Sequence, residues 1–334
     1  MEIHTVQRPA CPVCSGPGEV LYRDQEDRLF GAPGKWSLKK CLDIQCGLCW
    51  LDPVPIEEDM HRLYEVYYTH GQKFVQPGIK AWLRHTLVSA YESVKLVPLG
   101  ILGLTAEKRQ FSTMFLSDLP PGRVLDIGCG DGLLLYQMHL KGWSVIGLDF
   151  DRDAIEAARE KYGKFGFELL QTDLISARFP DNSFDAVTMN HVIEHVPDPI
   201  ALLAEVNRIL KPGGRLVSIT PNVQSWGHSL FGECWRGLEI PRHLQILSLP
   251  ALTSCARRAA FTKIEVKSSA ARADMIFAGS YAIRKARESG TRLRGSRDIE
   301  LLRALRSSMM QYREAIRRRS HAECGEEAVL ICHK

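Results

Sequence analysis

Long apolar runs are what this chain conspicuously lacks. No stretch of its 334 residues reaches the roughly 18 consecutive apolar positions that a membrane-spanning helix needs. The N-terminus has no apolar signal core, so the sequence predicts a cytoplasmic protein. Charge of one sign is also scarce. The net charge of +4 is too small to demand a nucleic-acid partner, although lysine and arginine heavily outnumber the acids between Arg257 and Arg319. There is no internal repeat and no low-complexity segment, which leaves out solenoids and biased tails. An apolar content of 45% and a charged content of 25% are those of an ordinary soluble globular chain. Its length suits one large domain or two smaller ones.

The most informative stretch is Val124-Leu-Asp-Ile-Gly-Cys-Gly-Asp-Gly132. A short apolar run and an acidic residue lead into glycines at 128, 130 and 132. The pattern predicts a buried strand ending in a tight turn where Cβ atoms are excluded and backbone approaches a ligand. Leu133 to Leu140 is apolar and helix-compatible. Strand, glycine turn and helix together make the place where an α/β sheet binds a nucleotide-like ligand. The spacing is not the G-x-G-x-x-G of a dinucleotide site. Asp126 stands where a pyrophosphate would be repelled and suits a cationic ligand with an amino group.

From Arg123 onward short β-rich runs alternate with helical ones: Val124–Ile127, Ser144–Leu148, Phe167–Gln171, Ala186–Asn190 and Arg215–Ile219 as strands, Leu133–Lys141 and Ala154–Tyr162 as helices. The alternation argues for a parallel, doubly wound sheet. Lys211-Pro-Gly-Gly214 stops one helix and turns into the next strand, and Ala328–Cys332 reads as an edge strand. Asp149 ends the second strand, where a carboxylate can accept both ribose hydroxyls of an adenosine. Asp173 follows the third, where it can accept from the adenine amine while the Leu174 backbone meets the ring edge. Taken singly, each of these acids also reads as a loop or cap residue.

Together these motifs resemble those of class I S-adenosylmethionine (SAM) methyltransferases, in the branch of ubiquinone-biosynthesis O-methyltransferases and small-molecule tailoring enzymes. The resemblance covers nearly the whole chain. It implies an α/β fold with a doubly wound, mostly parallel seven-stranded sheet, an N-terminal zinc ribbon and a helical cap. It assigns Asp126, Gly128, Cys129 and Gly130 to the methionine and turn region. Asp149 and Phe150 fall to the ribose and adenine, Asp173 and Leu174 to the adenine, and Asn190 to the sulfonium side. The implied reaction is in-line attack by a small-molecule nucleophile on the sulfonium methyl, with a base for an acidic proton. A hydroxyl of a sugar, phenol or secondary metabolite is the favoured acceptor; N- and C-methylation stay open.

Asn190-His191-Val-Ile-Glu194-His195 follows the fourth strand. If a helix starts here, His191, Glu194 and His195 share one face. Three readings stand side by side: His195 as general base, a divalent metal site, and a polar helix start bonded to nearby backbone. The resembled family has glutamate where His191 stands, and imidazole suits zinc or iron better than magnesium. A second cluster, Phe231 to Leu244, lies where the family inserts substrate-binding elements. Trp235 and His243 there resemble residues that close over the acceptor; a packed loop is the alternative.

Cys11-Pro-Val-Cys14 is a C-x-x-C knuckle, and Cys41, Cys46 and Cys49 follow about 27 residues later. Without a secretory signal, clustered cysteines read as metal ligands rather than disulfides. The spacing matches a zinc ribbon. Cys46-Gly resembles a knuckle glycine, and Cys49 falls where related chains carry an apolar residue. The expected set is therefore Cys11, Cys14, Cys41 and Cys46 on a structural Zn2+. The expected division is a ribbon at 1–55, a helical cap at 56–118, a SAM-binding core at 119–271 with a substrate insertion at 222–245, and an arginine-rich helical region with the last strand at 272–334. Leu83, Leu87, Val88, Tyr91 and Val94 carry the helical spacing of the cap, and Tyr64, Tyr67 and Tyr68 are its candidates to close on ligand. Two rivals remain. A nucleic-acid methyltransferase would fit the ribbon and the basic region, but there is no Asn/Asp-Pro-Pro-Tyr/Phe motif after the fourth strand. A non-catalytic SAM-binding scaffold is disfavoured by the intact acids at 126, 149 and 173. The sequence does not settle oligomeric state.

Overall fold

The β-rich and helical runs after Arg123 close into a three-layered α/β unit. The computed structural model describes residues 3–64, 100–291 and 301–334. In chain order its strands are β1 (Thr5–Val6), β2 (Gly18–Gln25), β3 (Trp36–Cys41), β4 (Cys49–Leu51), β5 (Val54–Pro55), β6 (Arg123–Ile127), β7 (Ser144–Asp149), β8 (Glu168–Gln171), β9 (Phe184–Asn190), β10 (Leu210–Pro221), β11 (Gln245–Ile246), β12 (Lys263–Ser269) and β13 (Glu327–His333). The large sheet has the order β12-β13-β10-β9-β6-β7-β8. Strands β8, β7, β6, β9 and β10 pair in parallel, and β13 is antiparallel to both its neighbours. The order reverses at β6. β7 and β8 lie on one side of it, β9 and β10 on the other. The crevice beyond the carboxyl ends of β6 and β9 is therefore the switch point where such sheets take ligands.

Each face of the sheet is covered by helices with one apolar side. Leu135 and Met138 of Leu133–His139 and Ile155 and Ala158 of Arg152–Tyr162 pack on one face. Leu203, Val206 and Ile209 of Pro199–Ile209 and Leu252 and Ala256 of Leu249–Arg258 pack on the other. The helix starts follow capping chemistry. Asp151 accepts from the Asp153 N–H, and Asp198, just before Pro199, accepts from the Ile200 and Ala201 N–H groups. The first helix after β7 thus begins at Arg152, two residues ahead of the expected Ala154.

Three expectations are corrected. The last strand is not an edge. β13 is inserted between β10 and β12, and Ala328, Val329, Leu330 and Cys332 are fully buried. Such an unbroken apolar run marks a strand covered on both faces. Fully burying a Val or Leu side chain contributes about 1.5–3 kcal/mol. Second, no helix starts at His191. Its φ is +57°, the segment to Val196 is a series of turns, and the next helix begins at Pro199. Third, the described parts of 56–118 are not continuously helical: Glu57–Leu63 is a 3-10 turn and Leu104–Ser112 an α-helix. Tyr67, Tyr68 and the periodic Leu83 to Val94 lie outside the described residues.

The N-terminal segment contributes the larger part of a second sheet, ordered β11-β4-β3-β2. Its fourth member comes from the insertion after β10, with Gln245 opposite Trp50 and Ile246 opposite Cys49. The Arg258 guanidinium donates to the Val13 carbonyl. The cysteine-rich segment is thus joined to the core through backbone and side chain alike. No helix among the described residues is long and apolar enough to cross a membrane.

Candidate active site

The turn after β6 needs its glycines. Gly128, Gly130 and Gly132 have φ of +70°, +53° and +78°, a region L-residues avoid. A Cβ on Gly128 would stand 2.6 Å from Val192 Cγ2, whereas one on Gly130 meets nothing within 4 Å. The Gly128 and Cys129 N–H groups donate to the Leu148 carbonyl at 2.8 and 2.9 Å. Asp149, at the end of β7, accepts from the N–H groups of Gly130 and Asp151, both at 2.9 Å. Its carboxylate therefore holds the glycine turn in place.

Asp126 is buried at the end of β6 and accepts from Thr188 Oγ1 at 2.7 Å. Burial, with the Asp149 charge added and the Thr188 bond opposing, pushes its carboxyl up to about 7. A cation placed beside it would reverse that shift, which is what the positive charges of SAM require. Asn190 ends β9 at the same crevice. Its Oδ1 is buried without a partner among the described residues, so it is an acceptor for an outside donor. Phe150 is 56% exposed and meets Tyr64 edge-on at 5.1 Å between ring centres. Asp173 is exposed and accepts from the Ser176 N–H at 2.9 Å, while the Leu174 side chain is buried in the core. These residues fit a SAM molecule laid across the switch point.

The second cluster lies beside that crevice. His191 Nδ1 is 3.0 Å from Glu194 Oε1, and its Nε2 is 2.9 Å from Glu327 Oε1. With a carboxylate at each nitrogen, both nitrogens carry protons. Burial opposes that charge, but the two carboxylates outweigh it and hold His191 up at about 10. His191 is therefore a fixed imidazolium, which removes it as a base and as a metal ligand. Glu194, fully buried, also accepts from Thr220 Oγ1 at 2.9 Å. Burial favours its neutral form, yet the hydrogen bond and charge of His191 draw it down to about 2. His195 reaches the Arg242 carbonyl and the Tyr64 hydroxyl through Nδ1, both at 3.0 Å. A carbonyl only accepts, so Nδ1 carries a proton. His243 is built the same way: Nδ1 donates to the Gly237 carbonyl at 2.8 Å. Burial pushes its ring down to about 4, so it is neutral. The two rings meet edge-on at 4.7 Å.

The cysteines form a third cluster. Cys11, Cys14, Cys41 and Cys46 each bring Sγ within 4.8 Å of the others. Cys11 and Cys46 are 3.6 Å apart, Cys14 and Cys41 3.4 Å. Four thiolates at about 2.3 Å around a tetrahedral zinc stand roughly 3.8 Å apart, close to these two separations. Cys49, in β4, is fully buried and outside the cluster.

Residues 105–266 match a family model described as a methyltransferase domain. The chain carries a class I SAM-dependent methyltransferase domain. The domain's curated relatives include the ubiquinone/menaquinone biosynthesis C-methyltransferase of Desulfotalea psychrophila, 35% identical over 120 residues, which are 35% of this chain and 49% of that protein. The ubiquinone biosynthesis O-methyltransferase of Xanthomonas campestris pv. campestris is 39% identical over 108 residues, 31% of this chain and 45% of that protein. That of Idiomarina loihiensis is 36% identical over 110 residues, with the same coverage of 31% and 45%. The chain spans about half the length of the curated relatives it matches. Among solved structures, phosphoethanolamine N-methyltransferase 2 of Haemonchus contortus superposes with a TM-score of 0.49 at 18% identity, over 94% of this chain and 71% of that one. The fold given above rests on its own strand order and not on this likeness.

The methyltransferase domain thus gathers Asp126, Gly128, Cys129, Gly130, Asp149, Phe150 and Asn190 at one crevice, with Asp173 and Leu174 following β8. Glu194, His195 and His243 meet beside it. Trp235 does not face the crevice. It is buried, stacks on His228 at 5.0 Å and donates from Nε1 to Glu326 Oε2 at 2.6 Å. Sequence reasoning missed Thr188, Thr220, Arg242 and Asp27. The first two alternate along β-rich runs like any core hydroxyl. The last two are partners 215 residues apart, a pairing no local pattern encodes.

Proposed function

We propose that this chain transfers the sulfonium methyl of SAM to a hydroxyl of a small-molecule acceptor, with His195 as general base. The observation that carries this reading is the bare Nε2 of His195 beside the SAM crevice, fixed by the Nδ1–H bond to Arg242. Nε2 takes the acceptor proton as its oxygen forms the new O–CH3 bond. The S–CH3 bond breaks, leaving neutral S-adenosylhomocysteine. The proton ends on His195, where the buried Glu194 carboxylate stabilises the imidazolium. Proximity at the crevice supplies much of the acceleration, and a positioned base adds about 10²–10⁴-fold. The relatives' names include both O- and C-methyltransferases; a base beside the crevice favours an acceptor with an acidic proton.

A second reading is favoured by one observation. Ligand atoms of Glu194, His195 and His243 lie within 4.8 Å of one another, a donor set suited to zinc or iron rather than magnesium. The structural Zn2+ at the four cysteines belongs to the same proposal. His195→Ala in a hydrolase-coupled assay over a panel of sugar and phenol acceptors tests the base. Turnover should fall by about 10²–10⁴-fold while SAM affinity holds. Unchanged turnover rules the base out. Sensitivity of wild-type turnover to a chelator that leaves the cysteine zinc in place would favour the metal reading instead.

A further inference from the structure

Asp27 lies in the loop between β2 and β3, far along the chain from the crevice, and is almost fully buried. Its Oδ1 accepts from the Leu29 and Phe30 N–H groups, both at 3.0 Å. Oδ2 accepts from the Ala32 N–H and from Arg242 Nη2, both at 2.9 Å. Arg242 has no exposed surface. Nη1 donates to the Leu63 carbonyl at 3.0 Å and Nε to Glu239 Oε1 at 3.3 Å. The guanidinium lies 4.4 Å from the centre of the Phe30 ring. A planar fork with acceptors in three directions and a ring on its face has one position only.

That position matters because the Arg242 main chain faces the base. Its carbonyl takes the His195 Nδ1–H bond. Leu63, held by the same guanidinium, immediately precedes Tyr64, whose hydroxyl meets the same nitrogen. Both groups that define the Nδ1 side of His195 are therefore anchored through one side chain, and that side chain is anchored by Asp27.

We propose that Asp27 is a positioning residue of the N-terminal segment that acts through Arg242 to hold His195 in its Nδ1–H tautomer with Nε2 turned to the acceptor. The cysteine-bearing segment is then part of the catalytic apparatus rather than an appendage. A buried ion pair is a poor source of net stability, and fixing one arrangement is its better-attested use. This inference rests on the reading of His195 as the base, but its test contains no methyl transfer, so the two can fail separately.

The test is histidine-selective 15N labelling of the full chain, with long-range 1H–15N correlation to read each ring's tautomer and His195→Gln to assign the signal. Wild-type His195 should be the Nδ1–H form. Asp27→Asn and Arg242→Lys should move it toward a mixture with the Nε2–H form. Phe30→Leu, which only uncovers the guanidinium, should do so more weakly. His243 and His228 serve as internal controls. Each is held by its own carbonyl, of Gly237 and Val223, and each should keep its tautomer. A general loosening would move all three rings together, and that result overturns the proposal. So does an Nε2–H form in the wild type, or an unmoved His195 in variants whose controls are intact.

Discussion

Asp126→Asn separates what the glycine turn does for stability from what it does for binding. The aspartate carboxyl goes from 3.8 to about 7 on folding without a cation beside it. A raised acid is protonated more readily in the folded chain than in the unfolded one. Stability therefore falls as pH rises between those two values and is lowest above the upper one. Between pH 5 and pH 7.4 the loss integrates to about 2.5 kcal/mol. Asparagine does not titrate, so its stability relative to wild type should rise by about that amount over the same interval. Binding has the opposite dependence. A cationic ligand needs the ionised carboxylate, and the ionised fraction rises about eightfold from pH 6 to pH 7.4 for a group at about 7. Wild-type SAM affinity should rise by a similar factor, and the variant should bind weakly with little pH dependence. Chemical denaturation at the two pH values and calorimetry with SAM measure both. A variant whose stability difference does not change with pH, or wild-type affinity flat from pH 6 to 7.4, refutes the placement of Asp126 against the ligand's positive charge.

Other outcomes follow from the same geometry. Purified protein should contain about one zinc per chain; Cys11→Ser and Cys46→Ser should each lose it and lower the melting temperature, and metal-free wild type of undiminished stability would contradict the zinc assignment. Trp235→Phe removes the donor to the buried Glu326 and should cost about 1–3 kcal/mol of stability with SAM affinity unchanged, because the indole sits away from the crevice; a selective loss of binding would return Trp235 to the site.

The parts of this protein legible in its sequence are those whose cause is local. The glycine turn announces itself because each Cβ it lacks would strike a neighbour or force an avoided φ. The parallel strands announce themselves through apolar runs between capped helices. The run Ala328–Cys332 says that β13 is buried, not which neighbours bury it, so its place between β10 and β12 is not legible in the sequence. The segment after Asn190 has helical spacing, yet the positive φ of His191 lets its ring bridge Glu194 and Glu327, the latter 136 residues away. Trp235 shows the same limit. A tryptophan in an insertion reads as a substrate contact until its partner Glu326, 91 residues on, appears beneath it. The histidine cluster is visible as residues but not as chemistry: three similar imidazoles differ only through the acceptors set against each nitrogen.

The central claim is that the crevice at the ends of β6, β7 and β9 is a SAM site, and calorimetry tests it most directly. SAM and S-adenosylhomocysteine should each bind one per chain. Asp149→Ala, which removes the carboxylate holding the Gly130 N–H, should weaken both by at least about tenfold, the equivalent of 1.4 kcal/mol. No heat of binding with either ligand at millimolar concentration, or binding indifferent to Asp149→Ala, would contradict it.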